Sequence, residues 1–194
     1  TRLQGDWSSD VCSSDLVMKK LISIVIFSAF FLAACSSSDT STSSGGGTTA
    51  VLSSAEEETL VYMREEEKLA RDVYRTLFSR WNLQIFNNIA RSEQMHMDAL
   101  AAMLASYGVP DPVTSDSTGR FTNQVLASLY DQLVARGSSS AAEAIQVGIY
   151  IEQTDITDLQ KAISESTHND LDRAYENLLQ GSYNHLQAFT AQSS

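Results

Sequence analysis

Cysteine and proline are scarce in this sequence. Its 194 residues include two of each, and the segment after residue 51 has no cysteine at all. Disulfide bonds therefore cannot stabilise a domain in that segment, and no cysteine is available there as a nucleophile. Pro110 and Pro112 lie together in one connection, so proline interrupts no helix elsewhere in the segment.

Basic residues are also few, with 13 Lys and Arg against 24 Asp and Glu and a net charge of −11. An acidic chain is repelled by nucleic acids and anionic surfaces, so we expect no nucleic-acid partner. The sequence contains no Gly-rich phosphate loop, no Gly-x-Ser-x-Gly and no His-Glu-x-x-His. These absences argue against nucleotide hydrolysis, serine hydrolysis and zinc proteolysis of the familiar kinds.

The apolar run at residues 21–32 is too short for a membrane-spanning helix, which needs about 20 residues. Lys19 and Lys20 precede it, and Leu32-Ala-Ala-Cys35 at its end resembles the bacterial lipobox. We therefore predict a lipoprotein signal peptide at 18–34 and lipidation of Cys35, rather than an ordinary secretory signal. Several acyl chains on this cysteine would anchor the protein stably in a membrane. The expected location is the bacterial cell envelope, at the periplasmic face of the outer membrane in a Gram-negative cell.

The remaining sequence divides into three parts. Residues 1–17 are interpreted as an artefact, because residues 6–16 resemble the translation of a sequencing adapter. Residues 35–51, rich in Ser, Thr and Gly, are predicted to form a flexible linker behind the lipid. Residues 52–194 have the size of one ordinary domain.

The last segment shows helical periodicity and no strand-like alternation. A capping box at residues 53–56 opens the first long helix, and three more are predicted at about 83–107, 140–164 and 169–191. Short turns join the helices in pairs. About thirty residues, with a short helix at 123–135, separate the pairs. One such crossover is the arrangement of ferritin-like bundles, so we predict an all-α, ferritin-like four-helix bundle.

Each long helix carries ionisable side chains in the middle of its apolar stripe. They are Glu67 on the first helix, Glu93 and His96 on the second, Glu152 and Asp155 on the third, and His185 on the fourth. Two-metal sites in bundles use one Glu from each of two helices and Glu-x-x-His from the other two. Ser182 stands where the second motif would have its Glu, and Asp155 is the candidate to replace it.

The neighbours of these residues suggest further roles. The apolar phase selects Glu67, so Glu65 and Glu66 are predicted to lie on a solvated face. Tyr74 follows Glu67 by one heptad, either as a donor or radical site beside the ligands or as a core aromatic. Ser182 is also predicted to lie beside the ligands. Gly148 and Gly181, inside predicted helices, indicate either close helix approach or a bend.

Two states of the six ionisable groups are possible. A metal-free hydrogen-bonded network would set four carboxylates against two imidazoles, an excess of negative charge in a dry interior. Two divalent cations would balance that charge. Carboxylate and imidazole ligands suit iron, manganese or zinc, and iron is our first expectation.

Four segments resemble a known family: residues 66–74, 92–97, 148–155 and 181–185. Together they resemble the ferritin-like family called domain of unknown function 2202, whose activity is not established, over the whole of 52–194. Residues 67–74 and 93–96 also resemble rubrerythrin helices, which bind two irons and reduce peroxide. That likeness implies five ligands: Glu67, Glu93, His96, Glu152 and His185. Ser182 departs from the rubrerythrin pattern, and no Cys-x-x-Cys electron-transfer module is present.

Three functions remain open. The first is a membrane-tethered two-metal oxidoreductase that oxidises Fe(II) or consumes peroxide or O₂. The second is a non-catalytic metal-binding lipoprotein, and the third is a helical scaffold for an envelope partner. A homodimer is one further expected assembly.

Overall fold

The structure is a computed structural model that describes residues 51–193. These residues form five α-helices and no strand, so the predicted all-α fold is confirmed. The helices are α1 (Ser54–Trp81), α2 (Gln84–Tyr107), α3 (Gln124–Gly137), α4 (Ala141–Glu165) and α5 (Asn169–Gln192). None of these described helices is long and apolar enough to cross a membrane. The predicted artefact, signal peptide, lipidated Cys35 and nearly all of the linker lie outside the described residues.

Local signals in the sequence define where the helices begin and end. The Ser53 side chain accepts a hydrogen bond from the Glu56 N–H, and the Glu56 carboxylate accepts one from the Ser53 N–H at 2.9 Å. This is the predicted capping box. Asn82 ends α1 with φ 53°, and Gly108 ends α2 with φ 70°. Both adopt the left-handed conformation that commonly ends a helix.

The four long helices pack as two antiparallel pairs, α1 with α2 and α4 with α5. Contacts between α1 and α4 and between α2 and α5 close the bundle, and α3 packs against α1 and α4. Glu56, at the start of α1, accepts a hydrogen bond from the N–H of Thr167 in the turn after α4. The start of α1 therefore lies beside the end of α4. The arrangement is consistent with a ferritin-like bundle.

One face of α1 differs from the prediction. We expected Glu65 and Glu66 to be solvated. That prediction was wrong, because they are 3% and 5% exposed, and Lys68 and Arg71 on the same helix are fully buried as well. Helical periodicity identifies the stripe that faces other long helices. It gives no signal for a second face that is covered by an irregular segment.

The crossover between α2 and α3 covers this face through polar contacts. Lys68 Nζ donates to the carbonyl oxygen of Ser117 at 2.9 Å. The Glu65 carboxylate accepts from the backbone N–H groups of Thr122 at 2.5 Å and Asn123 at 2.9 Å, immediately before α3. The buried charges of α1 thus hold the crossover against the bundle and satisfy its backbone donors.

Candidate metal centre

Five of the predicted residues meet in the middle of the bundle. Each occupies one of the long helices: Glu67 on α1, Glu93 and His96 on α2, Glu152 on α4 and His185 on α5. The three carboxylates are 2% exposed, whereas the imidazole side chains of His96 and His185 are 11% and 9% exposed. The imidazoles therefore form the edge of the cluster that is nearer to solvent.

The five side chains form two groups that share Glu93. His96 Nδ1 lies 2.8 Å from Glu93 Oε2 and 3.3 Å from Glu67 Oε2. His185 Nδ1 lies 3.0 Å from Glu93 Oε1 and 3.4 Å from Glu152 Oε2. Within each group the three atoms lie within 4.8 Å of one another. The two oxygens of Glu93 therefore face different imidazoles, as a carboxylate shared between two ions requires.

The unsatisfied atoms of the cluster test whether metal ions fit. Glu67 Oε1, Glu93 Oε1 and His185 Nδ1 are buried and have no aligned hydrogen-bond partner. An unpaired buried polar atom costs about 1–3 kcal/mol. Two ligands about 2.1 Å from one ion lie about 3 Å apart at octahedral angles and about 3.4 Å apart at tetrahedral angles. His185 Nδ1 lies 3.0 Å from Glu93 Oε1 and 3.4 Å from Glu152 Oε2, so the residues present fit divalent transition-metal ions.

Protons reduce the charge imbalance of the metal-free cluster. Burial and the Glu93 charge raise the pKa of Glu152 to about 8, and burial raises the pKa of Glu67 to about 7. Burial alone would lower the pKa values of the imidazoles. Neighbouring carboxylates outweigh it and raise that of His96 to about 11 and that of His185 to about 10. The net charge of the metal-free cluster is therefore smaller than the count of four carboxylates and two imidazoles suggests. Binding of metal ions must displace these protons.

Tyr74 contacts both the cluster and the apolar core. Its hydroxyl donates to Glu152 Oε1 at 2.5 Å. The centroid of its ring lies 5.3 Å from that of Phe189 and 6.0 Å from that of Phe86. The ring is part of the aromatic core while the hydroxyl fixes the orientation of Glu152.

Asp155 lies beside the cluster but outside both groups. The Ser182 hydroxyl donates to Asp155 Oδ2, while Asp155 Oδ1 is buried without a partner. Burial, followed by the charges of Glu67 and Glu152, raises the pKa of Asp155 well above its ordinary value. Ser182 stands where the two-metal pattern has a Glu, and Asp155 was predicted to replace that Glu as a ligand. The two side chains are hydrogen-bonded to each other.

Glu66 was missed as a neighbour of the centre. It is 5% exposed and its Oε2 atom has no hydrogen-bond partner. Burial and the charges of Asp158 and Asp155 raise its pKa well above the ordinary value. The available signal was the three-residue spacing of Asp155 and Asp158, which places both on the face of α4 toward α1.

The fold and this cluster define an all-helical bundle with a buried carboxylate–imidazole centre. The model of the family described as an uncharacterized protein domain (DUF2202) matches residues 56–193. The chain belongs to that family, so the resemblance drawn from the four sequence segments is confirmed.

Two comparisons with known proteins agree with this assignment. An uncharacterized protein, MJ0754 of Methanocaldococcus jannaschii, is 53% identical over 129 residues, which cover 66% of this chain and 70% of the relative. The crystal structure of hypothetical protein MJ0754 from Methanococcus jannaschii is similar with a TM-score of 0.74 and 49% identity. The match covers 78% of this chain and 85% of that one. These descriptions state no activity.

Proposed function

We propose that the bundle binds a pair of divalent transition-metal ions and uses them as a redox centre. One observation carries the proposal: the two oxygens of Glu93 face the Nδ1 atoms of two different imidazoles, at 2.8 Å and 3.0 Å. A carboxylate shared by two metal ions has this geometry. In the metal-free protein the same two oxygens face two protonated imidazoles, which two metal ions would replace.

The proposed ligands follow from the two groups. Glu67 and His96 would hold one ion, Glu152 and His185 the other, and Glu93 both. Carboxylate oxygens with one imidazole per ion suit iron and manganese, and zinc is also compatible. The proposed chemistry needs a metal that changes its oxidation state, which excludes zinc. Of iron and manganese, we propose iron, the metal implied by the resemblance to rubrerythrin helices.

A pair of ferrous ions bound there would supply two electrons, which with two protons reduce one hydrogen peroxide to two waters. The protein would contribute orientation, protons and the exclusion of bulk water. The Tyr74 hydroxyl holds Glu152 in place. The more exposed imidazoles of His96 and His185 mark the side from which a small oxidant would reach the centre.

The proposal includes a membrane tether. The Leu32-Ala-Ala-Cys35 sequence after a short apolar run supports lipidation of Cys35. Residues 35–51 would then separate the lipid from the bundle and allow it to act in the cell envelope.

Metal content tests the proposal directly. The chain, purified without chelators, is compared with Glu93→Gln and with Glu176→Gln, an exposed glutamate of α5. Elemental analysis should find about two ions per chain in the wild type and in Glu176→Gln, as two-metal bundles hold. Glu93→Gln should lose most of both. A folded wild type that binds no iron, manganese or zinc contradicts metal binding.

Redox activity is a separate measurement. Wild-type and Glu93→Gln protein are treated with Fe(II) without oxygen and then mixed with hydrogen peroxide. The loss of peroxide is compared between the two. Wild type should consume about one peroxide for every two ferrous ions oxidised, the ratio set by one electron per Fe(II). Loaded protein that does not react would support the non-catalytic metal-binding alternative.

A further inference from the structure

Gly181 leaves the space that the His96 ring occupies. A Cβ atom built on Gly181 would lie 2.6 Å from His96 Nε2 and 2.7 Å from His96 Cε1. Non-bonded carbon atoms make favourable contacts at about 3.5–4.0 Å. Any side chain at position 181 would therefore push the imidazole by roughly 1 Å. The close-approach interpretation of this glycine thus has a specific partner.

The His96 ring has little freedom to give way. Its Nδ1 atom lies 2.8 Å from Glu93 Oε2 and 3.3 Å from Glu67 Oε2. The ring also stacks on that of His185, with centroids 5.5 Å apart and planes inclined by 28°. The carboxylates, the second imidazole and the α5 backbone at Gly181 are therefore all neighbours of this ring.

We infer that Gly181 is a positioning residue for the metal centre. The bare α5 backbone sets how far the His96 imidazole can approach α5, and so directs its Nδ1 atom toward Glu67 and Glu93. This inference rests on the proposed function, in which that Nδ1 atom is a ligand. Glycine costs about 1 kcal/mol relative to alanine inside a helix. Gly181 therefore lowers the stability of α5 but leaves space for the His96 ring.

Two other helical glycines are packed as closely, but against side chains of a different kind. A Cβ on Gly148 would lie 2.6 Å from the Phe189 ring, and a Cβ on Gly137 would lie 2.7 Å from the Leu77 side chain. Both positions face apolar side chains, whereas Gly181 faces a candidate ligand. Gly137, at the end of α3, is the better control because no candidate ligand lies near it in the sequence.

The experiment uses Co²⁺ as a spectroscopic probe of the metal-free protein. Wild type, Gly181→Ala, Gly137→Ala, His96→Ala and the double variant of Gly181 and His96 are titrated while visible absorption is recorded. Gly181→Ala should weaken Co²⁺ binding by about 10- to 100-fold, the effect typical of residues that orient ligands, and shift the absorption band. Gly137→Ala should leave both unchanged. In the His96→Ala background Gly181→Ala should have no further effect.

A second readout requires no metal. The side-chain NMR signals of His96 in metal-free protein should shift in Gly181→Ala, while those of His168 should not. If Gly181→Ala alone does not fold, removal of the ring in the double variant should restore folding. A double variant that also fails to fold would contradict the inference.

The remaining outcomes separate this inference from the proposed function. Gly181→Ala with wild-type affinity and absorption overturns the positioning role, as does an equal loss in the His96→Ala background. A folded wild type that shows no Co²⁺ absorption overturns metal binding itself, and the positioning role with it.

Discussion

Glu93 Oε1 lies 3.0 Å from His185 Nδ1, and neither atom has an aligned hydrogen-bond partner. The two residues belong to α2 and α5, one helix from each antiparallel pair. In the metal-free protein this contact is an ion pair between a carboxylate and a protonated imidazole. A metal ion bound to both atoms would replace it and join the two helix pairs. Metal binding and bundle stability are therefore expected to be coupled.

Removal of metal should lower the melting temperature. At a metal concentration about 100-fold above Kd, binding to the folded state alone adds about 2.7 kcal/mol of stability. For a domain of this size that corresponds to a rise in Tm of roughly 5–10 °C. Thermal unfolding with and without a chelator measures it. Glu93→Gln serves as the control, since its Tm should not respond to the chelator. Equal Tm values for loaded and chelated wild type would contradict the coupling.

Breaking the buried ion pairs of α1 should cost far more stability than breaking an exposed pair of the same spacing. Lys68 Nζ lies 2.5 Å and Arg71 Nη2 lies 2.8 Å from the Asp72 carboxylate, and all three side chains are fully buried. Asp72→Asn leaves the buried Lys68 ammonium without a carboxylate and leaves Arg71 with Asp116 alone, which should cost about 3–5 kcal/mol. Urea unfolding gives this free energy.

The matched control is Glu165→Gln, which breaks the exposed Lys161–Glu165 pair of the same i, i+4 spacing. Such pairs contribute about 0.3–0.5 kcal/mol. Similar losses in Asp72→Asn and Glu165→Gln would show that the buried pairs of α1 do not stabilise the fold.

The sequence predicted what depends on helical phase. Glu67 and Glu93 share a face with buried apolar residues such as Met63 and Leu100, so the apolar stripe alone places them in the core. The helix ends at Ser53 and Gly108 were also predictable, because each depends on one residue type at one position.

What the sequence did not reveal depends on tertiary contacts of irregular backbone and on side-chain rotamers. Glu65 is buried beneath the crossover, where its carboxylate accepts from the N–H groups of Thr122 and Asn123. A loop has no periodic sequence pattern from which this contact could be predicted. Asp155 has the right spacing for a ligand, and its Oδ2 atom accepts from the Ser182 hydroxyl, a contact that the spacing does not predict. A periodic pattern fixes the face of a helix but not the rotamer of a side chain on it.

Tyr74→Phe should destabilise the metal-free protein by removing the donor to Glu152 Oε1. The ring packing is retained, so the loss reports the unpaired buried acceptor, about 1–3 kcal/mol. Tyr175→Phe is the control, because the Tyr175 hydroxyl is buried without a partner and its removal should be neutral or stabilising. The free energies of unfolding of both variants are measured in urea in the presence of a chelator. A neutral Tyr74→Phe would show that the hydroxyl does not hold Glu152.

Acid should weaken the junction between α1 and the α4–α5 turn. Burial would raise the pKa of Glu56, but hydrogen bonds from Ser53, His168 and Thr167 outweigh it and lower that pKa well below its ordinary value of 4.5. Because the folded-state pKa is lowered, the unfolded chain binds more protons in acid. The stabilisation is therefore complete above about pH 4.5 and is lost as the pH falls toward the folded-state pKa.

Glu56→Gln should consequently be less stable than wild type at pH 7, by about 1–2 kcal/mol for the lost capping and turn hydrogen bonds, and should lose less stability on acidification. The measurement is the free energy of unfolding in urea at several pH values between 7 and 3. Glu57→Gln, an exposed neighbour in the same turn, controls for the change in net charge. If wild type and Glu56→Gln lost stability in parallel below pH 4.5, the Glu56 carboxylate would not be the group that links α1 to the turn.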